Sequence, residues 1–247
     1  MPCSPRLPLS KCRERLNVTT TYPAPGDSLV ADRVYQPQSD SHLLVDTMRR
    51  SGLIPQRRVL DLCTGTGFVA ISAAEMGCAS VTAFDICPHA VRYSRGNAAG
   101  AGVDVDVRQG SWVGALELGP FDVVVSNPPY VPTPPVDDTD LIPSTAGPSW
   151  AWNAGPDGRM VLDPLCATAS TLLAAGGSLF LVHSALAGTQ QSLDALRASG
   201  LDAYVVASQW IPFGPVMTTR ATWLEETGQI PLGCREEELV VIRADKP

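Results

Sequence analysis

The segment 126–130, Ser-Asn-Pro-Pro-Tyr, places an amide and an aromatic ring on one turn. It follows residues 121–125, a short apolar run rich in valine that is typical of a strand buried on both faces. Neither proline can donate a ladder hydrogen bond, so the strand must end in a stiff turn. The pattern predicts that Asn127 lies at the carboxyl end of a buried strand, where its amide could hold a reacting group. An ordinary strand exit is the alternative interpretation.

A second segment combines two glycines with a carboxylate. Gly65 and Gly67 lie between a predicted strand at residues 57–62 and a run of small apolar residues at 69–74 that favours a helix. Glycines at such a turn let a ligand approach the backbone. The third glycine of a dinucleotide fingerprint is absent, and Asp61 would repel a pyrophosphate but suits an ammonium group. S-adenosylmethionine carries such a group, whereas a plain strand-to-helix turn is the alternative.

Two further strand ends carry side chains that could bind a nucleoside. Asp85 ends a predicted strand at residues 80–85, and a carboxylate there can accept hydrogen bonds from both hydroxyls of a ribose. Ser111 follows an alternating segment at 103–107 that predicts an edge strand, and it is a candidate partner for adenine. Trp112 could line the adenine pocket or pack into the core, and we favour packing.

Alternating helix and strand patterns continue through the chain. A helix is predicted at residues 40–51, with Ser39 or Asp40 as its N-cap, and Pro88 is predicted to open another. Further helices are predicted at 158–174 and 190–198, and further strands at 178–183, 201–207 and 238–243. Two irregular stretches, 131–156 and 208–234, are interpreted as a lid and a substrate wall. His42 has no partner at metal-ligand spacing and is interpreted as a surface or packing residue. His183 has no apparent nucleophile or metal partner and is interpreted as a buried, hydrogen-bonded packing residue.

Composition limits the classes of protein that this chain can be. The 247 residues are 45% apolar, which supports one large domain at residues 33–247 preceded by an arm at 1–32 without periodicity. We expect a cytoplasmic protein, since no membrane span or signal peptide is recognisable. The net charge of −7 disfavours extended nucleic-acid binding. Seven scattered cysteines without a Cys-x-x-Cys pair suggest no metal site.

Residues 34–243 resemble class I S-adenosylmethionine-dependent methyltransferases, and more closely the HemK-type protein glutamine methyltransferases, in the short branch without a separate N-terminal helical domain. The matching pieces are Tyr35-Gln36-Pro37, Asp40-Ser41, the segment 61–67, Asp85 and the segment 127–130. Cys63 replaces the usual glycine, which should be tolerated if its backbone angles are ordinary. Ser111 replaces an aspartate that commonly binds adenine.

The resemblance implies an α/β fold with a Rossmann-like, doubly wound sheet of seven strands, mostly parallel with an antiparallel last strand. It implies S-adenosylmethionine as the cofactor and no metal. The Asn127 side-chain oxygen and the Pro128 carbonyl would accept hydrogen bonds from the acceptor's amino group, while Tyr130 would pack against that group. The residues expected to bind the cofactor are Tyr35, Pro37, Asp40, Ser41, Asp61, Thr64, Gly65, Gly67, Asp85, Ser111, Trp112 and Asn127.

The methyl acceptor is the least determined part of this prediction, because an Asn-Pro-Pro-Tyr turn suits any planar amino group. The resemblance favours a protein glutamine, in the Gly-Gly-Gln loop of a translation release factor. A small-molecule N-methyltransferase is the main alternative, because the acidic, tryptophan-bearing segment 131–156 could enclose a cationic metabolite. An adenine-N6 nucleic-acid methyltransferase is less favoured. A partner subunit or a homodimer is left open.

Overall fold

A computed structural model describes residues 34–247, so the arm predicted at residues 1–32 lies outside the described residues. Seven strands occur in this part of the chain: β1 (Arg58–Leu62), β2 (Ser80–Asp85), β3 (Asp106–Gln109), β4 (Phe121–Ser126), β5 (Leu173–Ser184), β6 (Asp202–Pro212) and β7 (Glu236–Asp245). The helices are α1 (Ser39–Ser51), α2 (Phe68–Glu75), α3 (Pro88–Ala101), α4 (Trp112–Leu116), α5 (Leu162–Leu172), α6 (Thr189–Ala198) and α7 (Pro215–Glu226). None of the helices in residues 34–247 has the length and apolar character needed to span a membrane.

The strands form one sheet in the order β3-β2-β1-β4-β5-β7-β6. The pairs from β3 to β5 are parallel, whereas β7 is antiparallel to both β5 and β6. This topology confirms the predicted α/β sheet with its antiparallel last strand. The strand order reverses between β1 and β4, where Leu62 pairs with Ser126. Ligands of doubly wound sheets bind in the crevice at such a reversal, so the topology places residues 63–67 and 127–130 on either side of one crevice.

Helices cover both faces of the sheet, because its central strands are buried on both sides. Alternate residues of a strand point to opposite faces, so Val59 and Leu60 belong to different core clusters. Helix α1 packs Leu44 and Met48 on one face, and α5 packs Leu162 and Leu165 on the other. On α3 the buried residues form the narrow stripe that the sequence predicted, namely Ala90, Val91, Ser94 and Ala98.

Several predicted boundaries are wrong because local turns occupy the ends of the elements. The helix predicted at 158–174 begins at Leu162, since Gly158 adopts a φ of 76° in a turn, and β5 starts at Leu173. The strand predicted at 103–107 begins at Asp106, because the Val103 amide still donates to the Ala98 carbonyl at the end of α3.

Two other predictions, the N-cap of α1 and the irregular segment 208–234, are also wrong. The N-cap of α1 is Gln38 rather than Ser39 or Asp40, and its side chain makes no capping hydrogen bond. The segment 208–234 is not irregular: β6 extends to Pro212, and α7 follows from Pro215 to Glu226. Helix α7 packs Val216, Met217 and Leu224 into a third apolar cluster with Trp152. The segment 131–156 is irregular as predicted, with three short 3₁₀ turns.

Candidate active site

A cavity of about 590 Å³ opens at the carboxyl ends of β1, β2 and β4. Its size lies in the range of small-molecule binding sites. The turn after β1 lines it with Thr64 and Gly65, and the end of β2 adds Asp85. The sequence-predicted residues on its wall are Tyr35, Pro37, Ser41, Thr64, Gly65, Asp85, Ser111, Trp112 and Asn127. The fold therefore gathers segments 34–41, 63–66, 84–87, 110–112 and 127–129 around one volume.

Asp85 organises the loops beside this cavity. Its Oδ2 accepts a hydrogen bond of 2.9 Å from the Gly65 amide, and its Oδ1 accepts one of 2.8 Å from the Cys87 amide. Burial raises the pKa of Asp85, while these two amide donors oppose the rise. Each carboxylate oxygen can accept more than one hydrogen bond, so Asp85 retains acceptor capacity toward a ligand in the cavity.

Asp61 and Gly67 do not reach the wall of the cavity. The carboxylate of Asp61 is buried and accepts a hydrogen bond of 2.6 Å from the Thr64 hydroxyl, so Thr64 lies between Asp61 and the cavity. Burial raises the pKa of Asp61 to about 7. A Cβ atom on Gly67 would lie 2.3 Å from Ser94 Oγ, so this glycine lets α2 and α3 pack closely. Both residues therefore support the loop 63–66 from the side that faces away from the cavity.

Cys63 has a left-handed backbone, with a φ of 60°. The condition under which a cysteine should be tolerated here, ordinary backbone angles, is therefore not met. Glycine adopts this conformation without the clash that a Cβ atom introduces, so the cysteine carries local strain. Burial raises the pKa of its thiol to about 12, so the side chain is a neutral wall group rather than a nucleophile.

Ser111 and Trp112 lie where β3 leads into α4. The Ser111 hydroxyl accepts a hydrogen bond of 3.4 Å from the Val113 amide as the N-cap of α4, and the residue also faces the larger cavity. Trp112 packs against the core, as favoured, and it also lines the larger cavity. His183 is fully buried, and its Nδ1 lies 2.8 Å from the Ser184 carbonyl oxygen. Burial lowers the pKa of His183 to about 4, which fits the packing interpretation.

The Asn-Pro-Pro-Tyr turn is tied to the start of α1. Asn127 Nδ2 donates to Ser41 Oγ at 3.2 Å, which orients the amide with its oxygen as the remaining acceptor. Asp40 Oδ2 accepts hydrogen bonds of 3.0 Å from the hydroxyls of both Tyr35 and Tyr130. Burial and the negative charge of Asp40 raise the pKa of Tyr130 well above its usual value, so the phenol stays protonated. These contacts fix the turn across a separation of up to 90 residues.

A smaller cavity of about 180 Å³ lies on the other side of this turn. Asp40, Pro128 and Tyr130 line this cavity but not the larger one. Tyr35, Asn127, Pro129 and Ala151 line both cavities. The turn therefore forms part of the wall between two cavities, and Asn127 faces each of them.

Arg220 anchors the segment 131–156 behind the smaller cavity. It is 1% exposed, and its guanidinium donates to both oxygens of Asp138 at 2.8 Å. It also donates to the Pro132 carbonyl at 2.7 Å and to Asn153 Oδ1 at 2.8 Å, and it stacks over the Trp152 ring. Neither Asn153 nor Glu237, which lies on the wall of the smaller cavity, was predicted from the sequence. Asn153 stands between apolar residues, whereas Glu237 is the middle of three consecutive glutamates, a pattern typical of an exposed segment.

Comparison with known proteins shows what this chain is similar to. Residues 36–139 match the family model described as Methyltransferase small domain. A release factor glutamine methyltransferase from Deinococcus radiodurans is 42% identical over 142 residues, which are 57% of this chain and 49% of that protein. The chain is therefore similar to release factor glutamine methyltransferases over its methyltransferase domain. It spans about half the length of that relative.

Two other similar proteins are covered over most of their length. A protein from Methanocaldococcus jannaschii, whose name assigns it provisionally to protein N5-glutamine methylation, is 29% identical over 76% of this chain and 91% of its own. The structure of an E. cuniculi Mtq2–Trm112 complex, described as responsible for methylation of the eRF1 translation termination factor, has a TM-score of 0.56 and 24% identity. It covers 87% of this chain and 99% of that one, and it supports the fold assignment.

Proposed function

We propose that this chain, like the HemK-type methyltransferases it resembles, transfers a methyl group from S-adenosylmethionine to the side-chain amide nitrogen of a protein glutamine. The observation that carries the proposal is the position of Asn127 on the walls of both cavities. A donor in one cavity and an acceptor in the other would meet at this residue. The names of the relatives in Deinococcus and Methanocaldococcus support glutamine as the acceptor.

The larger cavity has the groups that S-adenosylmethionine needs. Asp85 would accept hydrogen bonds from the ribose hydroxyls, and Ser111 and Trp112 would contact the adenine. Tyr35, Pro37 and Ser41 form the wall nearest Asn127 on the α1 side, where the methionyl part would lie. When bound, the cofactor supplies an electrophilic methyl group on a sulfonium sulfur.

Asp61 would act on the cofactor's ammonium through Thr64 rather than directly. Its carboxylate holds the Thr64 hydroxyl, and Thr64 faces the cavity. This arrangement gives Asp61 and Gly67 supporting roles in cofactor binding, because both lie off the cavity wall. Gly65 would present its backbone to the cofactor beside Asp85.

The Asn127–Pro128 segment would position the glutamine amide. An amide nitrogen is a poor nucleophile because its lone pair is delocalised into the carbonyl, so the reaction needs alignment more than a strong base. The Asn127 amide oxygen and the Pro128 carbonyl would each accept a hydrogen bond from the NH₂ group, which directs its lone pair toward the methyl group. Such positioning can supply up to roughly 7–11 kcal/mol. Tyr130, held by Asp40, would pack against the planar amide.

A small-molecule N-methyltransferase is the second candidate function. The acidic wall of the smaller cavity, which contains Asp40 and Glu237, favours it, since this wall would also suit a cationic metabolite. A small partner subunit, such as the one in the E. cuniculi complex, is part of the proposal for a protein substrate. Co-expression with a Trm112-type protein from the same source would test that part.

The proposal is tested by supplying S-adenosylmethionine with a labelled methyl group. Release factors, DNA oligonucleotides and a metabolite extract are incubated in parallel with the wild-type protein, and the labelled atom is mapped. Label on a glutamine side-chain nitrogen of a release factor is expected. Label only on adenine would contradict the proposal, and label only in the metabolite fraction would favour the second candidate. The Asn127→Ala variant is the matched inactive control.

A further inference from the structure

The smaller cavity contains a carboxylate that the proposed chemistry does not use. Glu237, the second residue of β7, lies on the cavity wall and is 6% exposed. Its Oε2 atom is buried and has no hydrogen-bond partner among the described residues. The nearby Ser184 side chain lowers the pKa of this carboxyl group and so opposes the effect of burial. A buried acceptor without a partner is costly, so a ligand that donates a hydrogen bond there would be stabilised.

The charge around Glu237 indicates which donor fits. Asp40 lines the same cavity. The burial of Glu237 raises its pKa, and the negative charge of Asp40 raises it further. No lysine, arginine or histidine occurs among the described residues of this wall. Arg220, on the neighbouring helix α7, directs its guanidinium to Asp138, Pro132 and Asn153 instead. A cavity with two carboxylates and no cation favours a ligand that brings positive charge.

We propose that the smaller cavity takes an ammonium or guanidinium group of the methyl acceptor and that Glu237 selects this group. The inference rests on the proposed function, because it treats the smaller cavity as the acceptor side. The acceptor would present its planar nitrogen at Asn127 and a cationic group to Glu237 within the same cavity. For a protein acceptor, the cation would be an arginine or lysine side chain close to the methylated glutamine.

The test uses equilibrium binding, which does not depend on methyl transfer. The protein loaded with S-adenosylhomocysteine is titrated with peptides containing Gly-Gly-Gln and one arginine within three residues of the glutamine. Each peptide has a counterpart with neutral citrulline in place of arginine. Propylguanidinium, paired with neutral propylurea, is titrated in parallel as a probe that needs no peptide contacts.

The cationic member of at least one pair is expected to bind about 10- to 100-fold more tightly, as a charged hydrogen bond predicts. Glu237→Gln, which preserves the side-chain shape, should remove most of that preference. Glu236→Gln, the same change at an exposed position one residue earlier on β7, should retain it. Thermal unfolding and S-adenosylhomocysteine affinity of both variants show whether the fold and the larger cavity are intact.

The outcomes separate this inference from the proposed function. Equal binding of cationic and neutral members in every pair would overturn the inference, as would a preference that survives in Glu237→Gln. Glutamine methylation without any preference for a cation would leave the proposed function standing and refute the inference alone. Preference for the cation that depends on Glu237, with no methylation of glutamine, would refute the proposed function alone.

Discussion

The two cavities on either side of Asn127 are built in different ways. The larger one is lined mainly by turns that directly follow strands of the parallel sheet, after β1, β2, β3 and β4. The smaller one combines α1, the segment 131–156, the end of β6, the start of α7 and the start of β7. The shape of the first cavity therefore depends mainly on the turn that follows each strand. The second depends on how distant parts of the chain meet.

The contacts that hold each cavity show the same difference. Asp85 fixes the Gly65 loop across 20 residues of sequence, and the parallel pairing of β1 with β2 already brings the two together. Arg220 fixes Asp138 across 82 residues, and Tyr130 fixes Asp40 across 90. Variants should therefore separate the two cavities, with distant contacts affecting acceptor binding and strand-end contacts affecting cofactor binding.

Arg220→Met should produce the largest effect on stability. It removes the donors for Asp138, the Pro132 carbonyl and Asn153, and breaking a buried ion pair costs about 3–5 kcal/mol. Denaturant unfolding measures this loss. Arg235→Gln is the matched control, because its ion pair with Glu225 has a half-exposed arginine and should cost at most about 1 kcal/mol.

The same pair of variants tests whether the cavities are independent. Folded Arg220→Met protein, at low temperature, should lose acceptor binding. Its affinity for S-adenosylhomocysteine should fall much less, because the anchored segment contributes only residues 148–151 and Asn153 to the larger cavity. Similar small stability losses in both variants would contradict the anchoring role of Arg220.

Asn127→Ala should separate chemistry from cofactor binding. The change removes an acceptor that orients the reacting nitrogen, so the rate of methyl transfer should fall by at least about a hundredfold. Cofactor affinity, measured by calorimetry, should stay nearly intact. Ser41→Ala is a graded control, because it removes only the oxygen that accepts from Asn127 Nδ2. Parallel losses of affinity and rate in Asn127→Ala would indicate a structural role.

Asp85→Ala should act on the larger cavity. Loss of charged hydrogen bonds to the ribose hydroxyls predicts a fall in cofactor affinity of about 1.5–3 kcal/mol. Calorimetry with S-adenosylmethionine measures it. Asp104→Asn, an exposed carboxylate before β3, should change affinity by less than about 0.5 kcal/mol. Unchanged affinity in Asp85→Ala, or saturable binding of NAD instead, would rule out this assignment.

Cys63→Gly should give the smallest effect, and a favourable one. A left-handed backbone costs a residue with a Cβ atom about 1–2 kcal/mol, while glycine adds about 0.5–1 kcal/mol of unfolded-state entropy. The free energy of unfolding should therefore rise by about 0.5–1 kcal/mol. Cys78→Gly is the control, since Cys78 is not among the residues with positive φ and should lose stability on substitution. A loss of stability at Cys63 would show that its packing outweighs the strain.

The sequence by itself determined the elements that repeat a simple pattern. The apolar run before Asn127 became β4, the stripe from Ala90 to Ala98 became the buried face of α3, and Pro88 begins that helix. These features follow from side-chain period and backbone restriction, which act within a few residues. The turns at the ends of β1 and β2 were predictable for the same reason, as was the meeting of their side chains at one edge of the sheet.

The tertiary structure alone decided the rest. Asp40 was expected to cap α1 or bind the cofactor, yet it accepts hydrogen bonds from two tyrosines, one of them 90 residues away. Asp61 and Gly67 lie off the larger cavity. Asp61 accepts a buried hydrogen bond from Thr64, and Gly67 packs closely against Ser94. Helix α7 arises within a segment that has little amphipathic pattern, because a third apolar cluster and the Asp138 carboxylate fix it there. Such outcomes depend on long-range packing and charge pairing, which leave no local period in a sequence.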